Sequence, residues 1–249
     1  MTDPAIVAAI VLTFLLAGAV KGVIGLGLPT VSLGLMTAVL DLPSAMALMI
    51  VPSLVTNVWQ GVVGGHLGAL LRRLWAFLLA ATVTIFVGAQ ALTQVDLGWL
   101  SALLGLLLIA YAGLALLGLR LSITPAREGV AGPAFGMVNG VLTGMTGSFV
   151  VPGVLYLQAI GLSRDQLVQA MGILFSLSTL ALAAALGSGG LWTTELGTAS
   201  ALSVAPAILG MILGARIRTR LSETLFRRVF FVAILALGFY IAARALSAV

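Results

Sequence analysis

Apolar runs long enough to cross a membrane follow one another from one end of this chain to the other. Trp99–Leu119 and Ala199–Ala215 contain no charged residue at all. An uninterrupted apolar stretch of about 20 residues reads as a membrane-spanning helix. A membrane strand would instead alternate polar and apolar residues over about 10 positions, and these runs show no alternation. Only 8% of the 249 residues are charged, where a soluble domain carries roughly 25%. The expectation is an all-α polytopic membrane protein of 8–10 hydrophobic segments, with no room for a soluble domain.

The net charge of +5 invites a nucleic-acid reading, which the distribution of charge excludes. The arginines sit in short connections between apolar runs, as the positive-inside bias produces. The absence of cysteine removes disulfides, thiolate metal sites and cysteine catalysis. No Ser/His/Asp set, metal-ligand cluster or paired intramembrane carboxylate is present, so neither an enzyme nor a cofactor or metal is expected. Asp3-Pro4 reads as a helix N-cap and first helical residue. The Met-Thr-Asp-Pro start lacks the basic residues of a signal peptide, and the first segment is expected to be retained.

Polar punctuation divides the chain. A first stretch, Asp3–Leu40, is too long for one span and is interrupted by Gly22, Gly25, Gly27 and Pro29. Pro43–Val63, Leu74–Leu92 and Leu97–Leu119 come next. A second interrupted stretch, Gly132–Leu162, precedes Asp165–Leu186, Leu196–Arg216 and Thr224–Leu246. The order is therefore one broken stretch and three spans, twice over. Gly18-Ala-Val-Lys-Gly22-Val-Ile-Gly25 shares its glycine spacing with Gly140-Val-Leu-Thr-Gly144-Met-Thr-Gly147, 122 positions later. Pro29 and Pro152 follow the two motifs, and Val87-Gly88-Ala89 matches Leu213-Gly214-Ala215. Residues 1–122 and 123–249 are read as two repeats forming one transport unit.

Loop charges give the repeats their orientation. Each broken stretch is taken to return to its starting side, as two crossings or as a re-entrant hairpin. Arg72, Arg73, Arg120, Arg127, Arg164, Arg216, Arg218, Arg220, Arg227 and Arg228 then share the cytoplasmic side with Glu128, Asp165 and Glu223. Asp3, Asp41, Asp96, Glu195 and Arg244 fall on the other side with both termini. The Asp96 loop and the Arg216–Arg228 loop are equivalent in the two halves yet lie on opposite sides. The halves are expected to be inverted, a recurrent transporter design in which broken helices meet near the midplane.

Interrupted backbone is tolerated in a membrane only where protein buries it or water reaches it. Half-helix N-termini offer free amides and partial positive charge, which suits an anion. Lys21, the only lysine in the chain, falls within the first glycine motif. A cation at depth is a functional candidate; the alternative is a side chain snorkelling to a headgroup. Its repeat equivalent is Thr143. The candidate substrate site comprises Lys21, Gly25, Gly27, Pro29, Thr30, Asn57, Thr143, Thr146, Gly147 and Ser148. Serine and threonine in membrane helices more often bond back to a carbonyl or join helices. His66 reads as a loop residue. Trp59, Trp75, Trp99 and Trp192 fall near span ends, as interfacial anchors do.

The pattern of Gly18–Pro29 and Asn139–Pro152, together with Gly214-Ala215-Arg216, resembles the TauE/SafE sulfite exporter family over essentially the whole chain. The resemblance implies an inner-membrane permease for sulfite, sulfonates or related sulfur-containing anions. The expected mechanism is alternating access around a midplane anion site. Coupled uptake of a related anion and a non-transporting scaffold subunit remain as alternatives. The expected partners are a small anion and the bilayer, with a homodimer left open.

Overall fold

In a computed structural model, residues 3–248 are described except 120, 219 and 221, and except the side chains of 223 and 248. The expected positions of Arg120 and of the Glu223 carboxylate lie outside the described residues. The chain is helical from end to end. In order the helices are α1 Pro4–Ile24, α2 Leu28–Thr37, α3 Leu42–Val62, α4 Leu67–Ala89, α5 Ala91–Gln94 and α6 Leu97–Leu117. The second half supplies α7 Pro125–Thr146, α8 Gly153–Ala159, α9 Arg164–Ser188, α10 Thr194–Leu202, α11 Val204–Arg218 and α12 Glu223–Ala248. Among the described residues, seven helical segments are long and apolar enough to cross a membrane, counting α4 with α5 and α10 with α11 as single spans. Large apolar side chains cover the outside, including Leu12, Val83, Leu106 and Leu202. In water such a surface would aggregate; in lipid it is the expected exterior. The protein is a multi-pass membrane protein.

The two halves begin and end their first helices alike. Asp3 caps α1 by accepting from the Ala5 amide at 2.8 Å, with Pro4 as the first helical residue. Pro125 opens α7 in the same way. Gly25 ends α1 at φ 78° and Gly147 ends α7 at φ 74°, a left-handed stop that a Cβ would strain. The Gly25 amide donates to the Lys21 carbonyl and the Gly147 amide to the Thr143 carbonyl, both at 2.7 Å.

The structure corrects one expectation about the glycine motif. Gly22 does not interrupt the backbone; like Gly18, Gly140 and Gly144, it lies inside a continuous helix. A Cβ on Gly18 would strike the Ala207 carbonyl, and one on Gly22 the Met211 carbonyl. Gly140 and Gly144 meet the carbonyls of Ala81 and Ile85 in the same manner. The first two glycines of each motif let α11 approach α1 and α4 approach α7, the close packing small residues permit in membranes. Only the third glycine stops a helix.

The second helix of each broken stretch is too short to cross a membrane. The ten residues of α2 reach about 15 Å and the seven of α8 about 10 Å, well short of a hydrocarbon core about 30 Å thick. Arg244 of α12 donates to the carbonyl of Ala38, the C-cap of α2. Arg73 of α4 donates to the carbonyl of Ile160, the C-cap of α8, at 2.7 Å. Each short helix therefore ends in carbonyls met by a guanidinium from elsewhere in the chain.

Helix partnerships exchange when the halves are exchanged. α1 runs parallel to α11, with Gly18 at Ala207 and Gly22 at Met211, and α4 runs parallel to α7. α3 runs antiparallel to its counterpart α9. The end of α3 meets the start of α9, with Gln60 donating to the Val168 carbonyl at 2.8 Å and Gln169 to the Gly61 carbonyl at 2.9 Å. α6 and α12 are likewise antiparallel: Gly105 faces Gly238, while the Tyr111 and Phe231 rings sit 5.2 Å apart.

The charges sort to two ends. At one, the basic end, Arg73 pairs with Glu128 at 2.7 Å, and Arg227 borders a cavity with Leu119 and Leu121. At the other, the acidic end, Asp41 and Arg244 border a second cavity with Leu97.

Candidate functional site

Lys21 occupies the last turn of α1, where a cation faces the negative end of the helix dipole. It is only 4% exposed, so it does not snorkel to a headgroup. Its ammonium donates to Thr56 Oγ1 at 3.1 Å and to Asn57 Oδ1, both on α3. Thr56 is oriented for this, since its own hydroxyl donates to the Pro52 carbonyl at 2.8 Å. Ser53, Thr56 and Asn57 lie three and four residues apart and so share one helix face. Asn57 Nδ2 and Ser53 Oγ are buried without a hydrogen-bond partner among the described residues.

The chemical balance of this cluster is one-sided. An ammonium has three protons to donate, and among the described residues two acceptors meet Lys21. The Asn57 amide is free, and the Ser53 hydroxyl can donate as well. A buried polar group left unpaired costs about 1–3 kcal/mol. No described carboxylate stands nearby: every described acid caps a helix or lies within its first turns. The cluster is complementary to a group that only accepts hydrogen bonds and carries negative charge.

The other candidate residues divide into two sets. Gly25, Gly27, Pro29 and Thr30 form the first break and the opening turn of α2, four to nine residues after Lys21. The amides of Leu26, Gly27 and Leu28 have no acceptor among the described residues. Thr143, Thr146, Gly147 and Ser148 form the second break and bond to one another. Thr143 donates to the Ser148 carbonyl at 2.9 Å, and Thr146 accepts from the Ser148 amide at 3.2 Å. Gly147 packs against Leu33, Met46 and Met49. No described hydrogen bond joins the two sets. α1 and α7 enter from opposite ends, and each runs more than five turns before its glycine stop. The stops overshoot one another: the first lies on the basic side of Lys21, the second against the acidic-end part of α3.

Three features escape a reading of the sequence. Thr56 and Ser53 show there only as polar residues in an apolar span; their place beside Lys21 needs the long Lys21 side chain to reach from α1 to α3. Pro52 lies inside α3 and cannot donate to the Leu48 carbonyl. Ser200 of α10 replaces that bond, donating to Leu48 at 2.8 Å and accepting from the Val51 amide at 3.0 Å. A mid-span proline is the available signal, but nothing in sequence points to Ser200. Asn139 caps α8, accepting from the Gly153 amide at 2.8 Å.

A cavity of about 400 Å³ opens at the basic end and reaches Ile24 and Leu26 of the first break. Tyr111, Gln158 and Arg227 are its polar side chains. It approaches within one helical turn of Lys21 along α1.

The model of the family described as sulfite exporter TauE/SafE matches residues 10–241, nearly the entire chain. No curated protein and no solved structure matches it. With a span-by-span membrane architecture and a buried donor cluster approached by a cavity, the match agrees with the physical reading. The chain belongs to the TauE/SafE sulfite exporter family of membrane transporters and is not an enzyme.

Proposed function

We propose that the protein carries small sulfur-containing anions across the inner membrane by alternating access, with Lys21 and Asn57 at the central site. The supporting observation is the donor-rich cluster of Lys21, Asn57 Nδ2 and Ser53, buried where no described protein anion meets it. An oxyanion brings the missing acceptors and the opposite charge. Thr30 and the amides of the first break complete the basic-end wall of the site. Thr143, Thr146, Gly147 and Ser148 shape its counterpart in the second half.

The two halves are read as inverted repeats. Antiparallel packing of α3 on α9 and of α6 on α12, each helix on its own equivalent, supports this. Gly61 packs on Gly172, and the halves are offset by 122 positions. A twofold relating them would cross α3 midway between positions 61 and 50, beside Thr56. That level is the midplane of the proposed carrier, and Lys21 sits at it.

The cavities support two alternating states. The basic-end cavity measures about 400 Å³ and its counterpart beside Asp41 about 180 Å³, apart from a third cavity of about 410 Å³ between α1 and α10 near Glu195. At an offset of 126 positions, that of Gly214 from Gly88, the linings of the first two correspond under exchange of the halves: Leu114 with Tyr240, Ala115 with Ile241, Gly118 with Arg244, Leu119 with Ala245, Arg227 with Ser101. One vestibule is thus wide and its equivalent narrow, with Arg244 reaching Ala38 where the other side has Gly118. We assign the basic end to the cytoplasm and both termini to the opposite side, following the positive-inside bias. Moving one anion outward then gains about 2.3 kcal/mol per 100 mV of inside-negative potential. Flux of labelled sulfite and alkylsulfonates in proteoliposomes, measured against an imposed potential, tests the reading. Outward flux that rises with inside-negative potential supports it; uptake driven by a cation gradient and indifferent to potential overturns it.

A further inference from the structure

We propose that the basic-end cavity is a substrate subsite selective for an anion carrying an apolar organic body, with Arg227 and Gln158 taking its charged head. The subsite deepens the transport reading and rests on it only for the translocation step after binding. The cavity lies among the first break, the C-terminal turns of α6, α8, the start of α9 and the start of α12. Arg227 and Gln158 are exposed at its opening, whereas Tyr111 is buried, with its ring edge-on to Phe231. The remaining wall is aliphatic or aromatic, including Leu114, Leu155, Leu167 and Phe231. Phe231 lies one turn along α12 from Arg227 and Leu155 one turn along α8 from Gln158, so each polar group at the opening has an apolar group next to it.

A bare oxyanion is poorly served by that arrangement. Its oxygens accept hydrogen bonds in every direction, and those turned towards Leu155 and Phe231 would lose water without replacement. A sulfonate or carboxylate on a short alkyl or aryl group meets both walls. Its head bonds the planar guanidinium, which suits such anions, while its body displaces water from the apolar wall. At about 400 Å³ the cavity falls within the size range of small-molecule sites. The counterpart at the acidic end holds Ser101 in place of Arg227 and has less than half the volume. That counterpart is charged too, but its residues are Asp41 and an Arg244 that donates to the Ala38 carbonyl, so its lining carries a carboxylate that the basic-end cavity lacks.

The test is binding of sulfite and of methane-, ethane-, propane- and butanesulfonate to the purified full-length protein in detergent. Affinity is expected to rise about 4-fold per methylene, the equivalent of about 0.8 kcal/mol per buried CH₂. Arg227→Gln is expected to weaken every member about 10-fold or more through loss of a charge-assisted bond, with the chain-length slope intact. Leu155→Asn is expected to flatten the slope while the protein remains monodisperse. Sulfite binding as tightly as butanesulfonate overturns the proposal, as does unchanged affinity in Arg227→Gln. Equal binding of butanol and butanesulfonate also overturns it and marks a lipid-chain site. Lys21→Met separates this inference from the central one: wild-type transport in that variant, with the slope preserved, removes the Lys21 site and leaves the subsite standing.

Discussion

Replacing Lys21 with methionine separates function from stability. Methionine has nearly the length of lysine and places an apolar tip among Ser53, Thr56 and Asn57. Asn57 loses the donor that its Oδ1 accepts, at a cost of about 1–3 kcal/mol. Against this, the variant no longer keeps an ammonium out of water, a desolvation penalty of several kcal/mol. Because the partners of Lys21 are neutral, no protein charge is stranded, and the variant should unfold at the wild-type temperature or above it. Transport should respond oppositely. An anion held about 4 Å from the ammonium gains roughly 4 kcal/mol at an effective dielectric of about 20, so its loss lowers kcat/KM by up to about 10³-fold. Initial flux in proteoliposomes and thermal unfolding in detergent, measured on the same preparation, give both quantities. Wild-type flux would refute the placement of substrate at Lys21. A large fall in unfolding temperature would show instead that the lysine is a structural tie between α1 and α3.

Three further perturbations test the packing. Gly140→Ala drives a Cβ into the Ala81 carbonyl and Thr84 Oγ1 and should cost about 1–3 kcal/mol or more in thermal unfolding; Gly113→Ala, with open space around it, should be neutral or stabilising. Ser200→Ala removes the hydroxyl that bonds the Leu48 carbonyl and the Val51 amide, at about 1–3 kcal/mol. Adding Pro52→Ala restores a donor for Leu48 and should recover part of that loss, read as coupling in a double-mutant cycle. Arg244→Ala releases the Ala38 carbonyl and should open the acidic-end vestibule. In this naturally cysteine-free chain, a cysteine at Thr37 should then react faster with an impermeant maleimide, and an unchanged labelling rate would count against the latch.

Much of the architecture is legible in sequence because membranes narrow the choices. A backbone that must satisfy itself in hydrocarbon becomes helical wherever the apolar run is long enough, so the spans fall close to their expected limits. α4 and α7 are the exceptions: each starts seven residues early, α4 at Leu67 for the expected Leu74 and α7 at Pro125 for the expected Gly132, because Arg72, Arg73 and Arg127 can extend from a helix end as readily as from a loop. The glycine motifs are visible but only partly interpretable. In sequence, a glycine that stops a helix and one that admits a neighbouring carbonyl look the same. Only backbone geometry separates Gly25, at φ 78°, from Gly22 beside Met211. The Lys21–Asn57 contact spans 36 positions and depends on the reach of one side chain between helices that pack mainly on other partners. Local pattern nominates both residues, but only the tertiary fold can join them.

The placement of the breaks changes what each is for. Had both met at one level, amides alone could have formed a symmetric anion cradle, and Lys21 would have been an addition to it. Instead the glycine stops pass one another, and the second is packed on Leu33, Met46 and Met49. What remains at the level of the proposed twofold is side-chain chemistry on α1 and α3, with Thr143 and not a second cation at the equivalent position in the other half. On the alternating-access proposal, the backbone frame would exchange its two vestibules with little change in packing, because each helix partnership recurs in the other half. Charge recognition would then fall to one lysine that the exchange does not duplicate. An anion bound there meets the same ammonium from either side, which is what a carrier needs if a single site is to serve both openings. A lysine engineered at Thr143 would test that division: if recognition depends on a single cation, two should hold the anion too tightly to release it, and KM and kcat should fall together.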